Sequence, residues 1–168
     1  AEIKLDLPID ANLSPDYVPK EELRLEAYRR LAEVTTDAEV DDIRTEWEDR
    51  YGPVPPEADA LLDVGYLRAE CHRLGLKDVS IQSNAARLAP LRLKVSEDMR
   101  LKRLSRTAIL KDDLDQLVVP IARGATPARF LVGFLRELIP PEGPPTGGPN
   151  TVAETLPSSG RTVTSRGR

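Results

Sequence analysis

Residues 36–75 read TDAEVDDIRTEWEDRYGPVPPEADALLDVGYLRAECHRLG, and both helices in this stretch carry their own start and stop signals. Thr36 and Glu39 form a T-x-x-E capping box, in which each side chain satisfies an amide left without a partner in the first helical turn. Val40, Ile43, Trp47 and Tyr51 then recur at spacings of three and four, so one apolar stripe runs down the helix. Gly52-Pro53 stops it. The next helix runs from about Glu57 to Leu74. Ala58, Leu61, Leu62, Gly65 and Ala69 mark one of its faces, and Ala60, Val64, Leu67, Cys71 and Leu74 mark another. A helix that is apolar on two faces is buried on both. Gly75 suits the left-handed position just past its end.

Before this pair, Ile3, Leu5 and Leu7 alternate with Glu2, Lys4 and Asp6, which predicts a half-buried strand ended by Pro8. A loop with Pro15 and Pro19 follows. Leu23, Ala27, Tyr28 and Leu31 then mark a helix whose first turn carries Glu21 and Glu22, where the helix dipole favours acids. After Gly75, Val79 and Ile81 alternate, and so do Leu91, Leu93 and Val95, giving two strands. A short helix is expected over Glu97–Leu104. Thr107–Leu110 and Leu117–Ile121 flank an acidic turn as a hairpin. Thr126-Pro127 reads as an N-cap with proline in the first helical position, opening a helix through Phe130, Phe134 and Leu138. The expected fold is α+β: a leading strand, three helices, a small antiparallel sheet with a short helix, and a closing helix.

The 168 residues suffice for one domain and an appendage. With 4% aromatic residues, the core must be aliphatic. Residues 140–168 hold 6 of the 15 prolines and, as aliphatics, only Val152, Ala153, Leu156 and Val163. Such a segment cannot bury enough surface to offset its ordering entropy, so the division is a folded domain over 1–139 and a disordered tail over 140–168. A strand that begins at the first residue predicts an excerpt of a longer protein. No apolar run approaches a membrane span, and a single cysteine excludes an internal disulfide framework. A reducing, cytoplasmic setting is the expectation.

Catalytic signatures are missing. The glycines match neither phosphate-binding pattern, and no G-x-S-x-G occurs. His72 is the sole histidine and reads as a surface or packed residue; with Cys71 alone beside it, the four ligands of a structural zinc site are not available. Cys71 falls on an apolar stripe and reads as an inert core thiol. Asp112, Asp113 and Asp115 lack the glycine and distal glutamate of a calcium loop, so no metal site is expected.

The net charge of −4 is unevenly spread. Residues 20–75 carry 15 acids against 8 bases, whereas residues 76–139 carry 12 bases against 7 acids. Two surfaces follow. Arg100, Lys102, Arg103 and Arg106, with Arg92 and Lys94 nearby, could contact nucleic-acid phosphates. No aromatic interleaves with them to stack bases, so a solvated helix face is the plainer reading. The helix over 36–51 carries Glu39, Asp41, Asp42, Glu46, Glu48 and Asp49. On it, Glu46, Asp49 and Arg50 share one neighbourhood by i, i+3 and i+4 geometry, either as a solvated face or as a docking site for a basic protein surface.

These same residues carry a resemblance. Leu23, then Tyr28-Arg29-Arg30-Leu31-Ala32, then Glu46-x-x-Asp49-Arg50-Tyr51-Gly52-Pro53-x-Pro55 and Leu61-Leu62, resemble the C-terminal domain of bacterial transcription-repair coupling factors. The strand Glu2–Pro8, the Asp16-Tyr17-x-Pro19 loop and Leu101-Lys102-Arg103-Leu104 are similar too; the last, with Val118-Val119-Pro120, looks like the actinobacterial branch. Members often have a Tyr-Pro-Gly turn where this chain has Ser105-Arg106-Thr107.

The resemblance implies a parent that is an ATP-driven translocase on double-stranded DNA, using ATP and Mg in a motor upstream. That parent displaces stalled RNA polymerase and recruits the excision-repair damage-recognition ATPase. The terminal domain would need no cofactor and do no catalysis. It would dock on the recruitment module of the same protein and mask it until the motor engages, with Glu46 and Asp49 at the contact and Arg50 beside them. The alternative is a nucleic-acid-binding module using residues 92–106.

Overall fold

The computed structural model describes residues 2–142. Along the chain come β1 (Lys4–Asp6), α1 (Glu21–Ala32), α2 (Asp37–Tyr51), α3 (Pro56–Leu74), β2 (Asp78–Gln82), β3 (Ala85–Ala89), α4 (Val95–Leu104), β4 (Ile109–Lys111), β5 (Gln116–Pro120) and α5 (Pro127–Leu138). This is the expected α+β fold. The expected tail lies, from residue 143 onward, outside the described residues.

The local signals act as the sequence predicts through residues 36–75. Thr36 Oγ1 accepts from the Glu39 amide at 3.3 Å, and the Glu39 carboxylate accepts from the Thr36 amide at 3.2 Å, closing the capping box. Gly52 ends α2 at φ +89°, and Gly75 ends α3 at φ +75°, both in the region that favours glycine.

The two apolar faces of α3 organise the rest. Ala58 and Leu62 lie in a helical core with Leu31 of α1 and Val40, Ile43 and Trp47 of α2. Leu67 and Cys71 lie in a second core, against β-strand residues Val79, Leu88, Leu117 and Val119 and against Leu131 and Leu135 of α5. At 19 residues α3 is about 28 Å long, enough for both cores to share it. Gly65 sits against both α1 and α2. A Cβ there would lie 3.1 Å from Leu31 Cδ2 and 3.4 Å from both Val40 methyls.

The five strands form one sheet in the order β1-β2-β3-β5-β4. β1 runs parallel to β2, with Lys4 opposite Asp78, and every other pair is antiparallel. A parallel neighbour needs a long crossover, which here is the excursion through α1, α2 and α3. β2 and β3 are joined by Ser83-Asn84, both at positive φ (52° and 62°), as a two-residue type I′ turn requires.

Three local expectations are corrected. Leu91–Val95 is not a strand: β3 lies earlier, at Ala85–Ala89, and Pro90 follows it. The Leu91 amide donates to the Asp115 carbonyl at 2.8 Å, which holds this stretch as a loop, and Val95 already opens α4. Thr126 precedes α5, but its side chain makes no capping bond; its carbonyl accepts from Phe130 instead.

Polar side chains of α3 stitch the layers together. Asp59 binds Arg44 of α2 at 2.8 Å and Arg129 of α5 at 2.8 Å, and Asp63 binds Arg129 at 3.0 Å. Glu70, 2% exposed, is held by Arg73 at 2.7 Å and by Arg136 of α5 at 3.4 Å. Arg136 also pairs with Asp37, the first residue of α2. A carboxylate this buried would destabilise the fold by several kcal/mol without its cations.

Burial raises the Asp63 carboxyl above the usual aspartate range, and the Arg129 guanidinium only partly offsets this. The reason is unequal exposure: Asp63 is 7% exposed, whereas the Arg129 side chain is 61% exposed and its charge is screened by water.

Two outcomes follow for stability. Gly65→Val overfills the contact with Leu31 and Val40 and costs about 1–3 kcal/mol in urea unfolding. Gly133→Ala, on α5 with open space around it, adds about 0.5–1 kcal/mol through helix propensity. A neutral Gly65→Val would remove the close approach assigned to it. For Asp63 the folded proton affinity exceeds the unfolded one. Its contribution to stability is therefore full below the unfolded pKa and is lost as pH rises through the folded pKa. Wild type gains on Asp63→Asn as pH falls from 7 to 4, read from paired urea midpoints; the opposite trend would mean that Arg129 dominates.

Candidate docking site

α2 carries its charges on two flanks of the buried stripe Val40-Ile43-Trp47. One flank turns inward to α3 and α5. Asp37 pairs with Arg136, Asp41 accepts from the Tyr66 hydroxyl, and Arg44 pairs with Asp59. The other flank runs beside α1 and carries Glu39, Asp42, Glu46 and Asp49.

The acids of this helix do different things. Glu39 is occupied at the helix start. It accepts from the Thr35 amide at 3.1 Å, the Thr35 hydroxyl at 2.9 Å, the Thr36 amide and the Thr36 hydroxyl. These bonds, the Thr35 amide foremost, hold its carboxyl below the usual glutamate range. Glu46 is bound by Arg30 of α1, whose Nη1 lies 3.0 Å from Oε1 and 2.9 Å from Oε2. Arg50, one turn on, approaches Oε2 at 3.5 Å and lies 5.4 Å from the Tyr51 ring centre. Asp42, Glu48 and Asp49 are exposed and pair with no cation among the described residues.

The structure thus brings Glu46 and Arg50 together, as their spacing predicts, and leaves Asp49 facing solvent. Arg30 was not visible as part of this group, because it comes from another helix and pair spacing along α2 says nothing about it. A shallow cleft between α1 and α2, lined by Leu23, Ala27, Arg30, Glu46, Trp47 and Tyr51, runs under the pair. Its far end is anchored by Tyr51, whose ring meets Tyr17 edge to face at 5.6 Å, while the Tyr17 hydroxyl donates to the Gly52 carbonyl at 2.9 Å.

The basic stretch is less uniform than its sequence. Arg100 donates to the Leu138 carbonyl at 2.7 Å, placing a cation on the C-terminal end of α5, where the helix dipole favours it. Lys102 pairs with Asp98 at 3.3 Å and Arg92 with Asp115 at 3.2 Å. Arg103 and Arg106 are exposed and pair with no acid among the described residues.

Among the described residues no three His, Cys, Asp or Glu side chains converge as metal ligands, and no helix is long and apolar enough to cross a membrane. His72 is exposed. Cys71 is buried, and burial pushes its thiol up to about 12.

Comparison with known proteins places the chain in a family. The model of the TRCF domain matches residues 7–103. The transcription-repair-coupling factor of Mycobacterium tuberculosis (strain CDC 1551 / Oshkosh) is 43% identical over 123 residues, covering 73% of this chain and 10% of that protein. That of Escherichia coli (strain K12) is 36% identical over 76 residues, covering 45% of this chain and 6% of that protein. This chain therefore spans about a tenth, or less, of the length of these curated relatives. A crystal structure of the C-terminal domain of transcription-repair coupling factor superposes with a TM-score of 0.69 at 17% identity, over 82% of this chain and 91% of that one, a likeness of fold.

A chemical outcome tests the reading of Cys71. A thiol held neutral in the core reacts with a maleimide or disulfide reagent only when the chain opens, so labelling follows the unfolding transition in urea. Rapid labelling of the folded chain would contradict this.

Proposed function

The chain belongs to the TRCF domain family of transcription-repair coupling factors, and on that premise we propose that it is the non-catalytic docking domain of such a factor. It binds the recruitment module of the same protein through the outer flank of α2 and masks the surface that takes up the excision-repair damage-recognition ATPase. The parent would be an ATP-dependent translocase on double-stranded DNA whose motor, using ATP and Mg, engages stalled RNA polymerase and thereby opens the contact.

The observation that carries this reading is the division of labour on α2. The inner flank is locked to α3 and α5 by Asp37, Asp41 and Arg44. The outer flank presents Glu46 and Asp49 to solvent on a helix that cannot easily shift, since Trp47 beneath them is 1% exposed. A rigid helix with charges on its free side is suited to a partner of opposite sign.

The mechanism is a two-state equilibrium. While α2 holds the module, its recruitment surface is covered; when the motor rearranges the parent, the contact breaks. A bias of about 3 kcal/mol leaves the open state below one per cent yet within reach of a motor-driven change. Because the two partners share one chain, docking is intramolecular, and a modest intrinsic affinity suffices at the effective concentration of a tether.

In the intact parent, Glu46→Lys with Asp49→Lys releases the module, and the repair ATPase then binds without polymerase or nucleotide in a pull-down where wild type does not. Closed behaviour in the double variant would overturn the docking surface. Unmasked wild type would overturn masking itself.

A further inference from the structure

The outer flank of α2 is not uniformly acidic, and Arg30 is the reason. It reaches from α1 so that one nitrogen lies at nearly equal distance, 3.0 and 2.9 Å, from both oxygens of Glu46. A donor shared by both oxygens of a carboxylate leaves capacity for further donors, since the group accepts at about four lone-pair sites. Arg50 approaches Oε2 at 3.5 Å. Oε1 accepts from no donor other than Arg30 among the described residues. Glu46 is therefore a carboxylate held in place from two helices, by Arg30 of α1 and Arg50 of α2, although its side chain is 38% exposed. Asp49, by contrast, has no such brace.

We infer that Arg30 is a positioning residue of the docking site, acting through Glu46 to hold its carboxylate in the place where a basic partner group meets it. The inference rests on the docking reading above and adds a residue from a second helix to it. Physically, a flexible glutamate loses rotamer freedom when a partner binds it, and Arg30 has already taken that freedom away before the partner arrives. Arg30 also links α1 to α2 across their cleft, so the carboxylate is set relative to both helices and not to α2 alone.

The sign of the Arg30 effect separates positioning from bulk electrostatics. If the flank worked only as a negative field, deleting a cation from it would strengthen binding of a basic partner, most at low salt. Positioning demands the reverse. The experiment titrates the 168-residue chain with the recruitment module of its parent, by calorimetry at two salt concentrations. Arg30→Gln is expected to weaken binding about two- to tenfold, the freedom of one long side chain, with Arg30→Lys recovering part of the loss. In a Glu46→Ala background Arg30→Gln should change nothing further, whereas in an Asp49→Asn background its effect should persist in full.

A substitution that merely disturbed α1 would weaken binding equally in both backgrounds, and that result would overturn the assignment. So would an Arg30→Gln chain that binds as tightly as wild type or tighter. If wild type does not bind in trans at either salt, the same variants are read in the intact parent, where the tether raises the effective concentration. There Arg30→Gln lets the repair ATPase bind in the pull-down if the assignment holds. An Arg30→Gln parent as closed as wild type overturns it, and an unmasked wild type overturns the docking reading and this assignment with it, so the two failures are distinguishable.

Discussion

A helix that is apolar on two sides cannot stand at a surface, and the rest of this fold is built around that constraint. α3 puts Ala58 and Leu62 toward α1 and α2, and Leu67 and Cys71 toward the sheet and α5. Neither layer could bury its own apolar face without the other's half of the helix. The carboxylates Asp59, Asp63 and Glu70 emerge where the two cores meet, and the arginines that satisfy them come from both sides: Arg44 from α2, Arg129 and Arg136 from α5. The layers are joined by burial first and registered by charge second. Replacing these ions by apolar groups could be stabilising, but removing one partner alone leaves a charge stranded in the interior.

That arrangement explains why α2 has a free flank at all. Its buried stripe and its inner charges are fixed by α3 and α5, so the outer side faces solvent on an otherwise immobilised rod. Of its acids, one is absorbed by the helix start, one is braced by Arg30, and Asp42 and Asp49 remain bare. An interaction surface made this way has little entropy to lose on contact, which is the usual advantage of preorganised sites.

The sequence was most informative where a structural cause is local. The Thr36–Glu39 box, the stops at Gly52 and Gly75 and the double face of α3 each depend on residues within a few turns of one another, and each is found where it was expected. β3 was missed for two reasons. Its turn is Ser83-Asn84, without the glycine that usually marks a tight hairpin, and its inward residues Ala86 and Leu88 stand among small alanines that blunt the alternation. The alternation of Leu91, Leu93 and Val95 drew attention instead, although the chain beyond Pro90 is held as a loop by Asp115. On the outer flank, Glu46 and Arg50 were legible because i, i+4 pairs follow from helix geometry. Arg30 and the capping role of Arg100 were not, because each depends on how two distant elements pack.

The parallel pairing of β1 with β2 sets an order in time as well as in space. Hairpins β2-β3 and β4-β5 close over short loops, but Lys4 can meet Asp78 only after the chain has passed through three helices. Closing so long a loop is entropically costly, so contacts of this kind form late. The three-residue edge strand therefore joins a scaffold that is already assembled, and by the same reasoning it can open without disturbing α2. The helical excursion is clasped at its base by a three-residue parallel ladder, and α2 stands on the part of the molecule that a loosened clasp leaves intact.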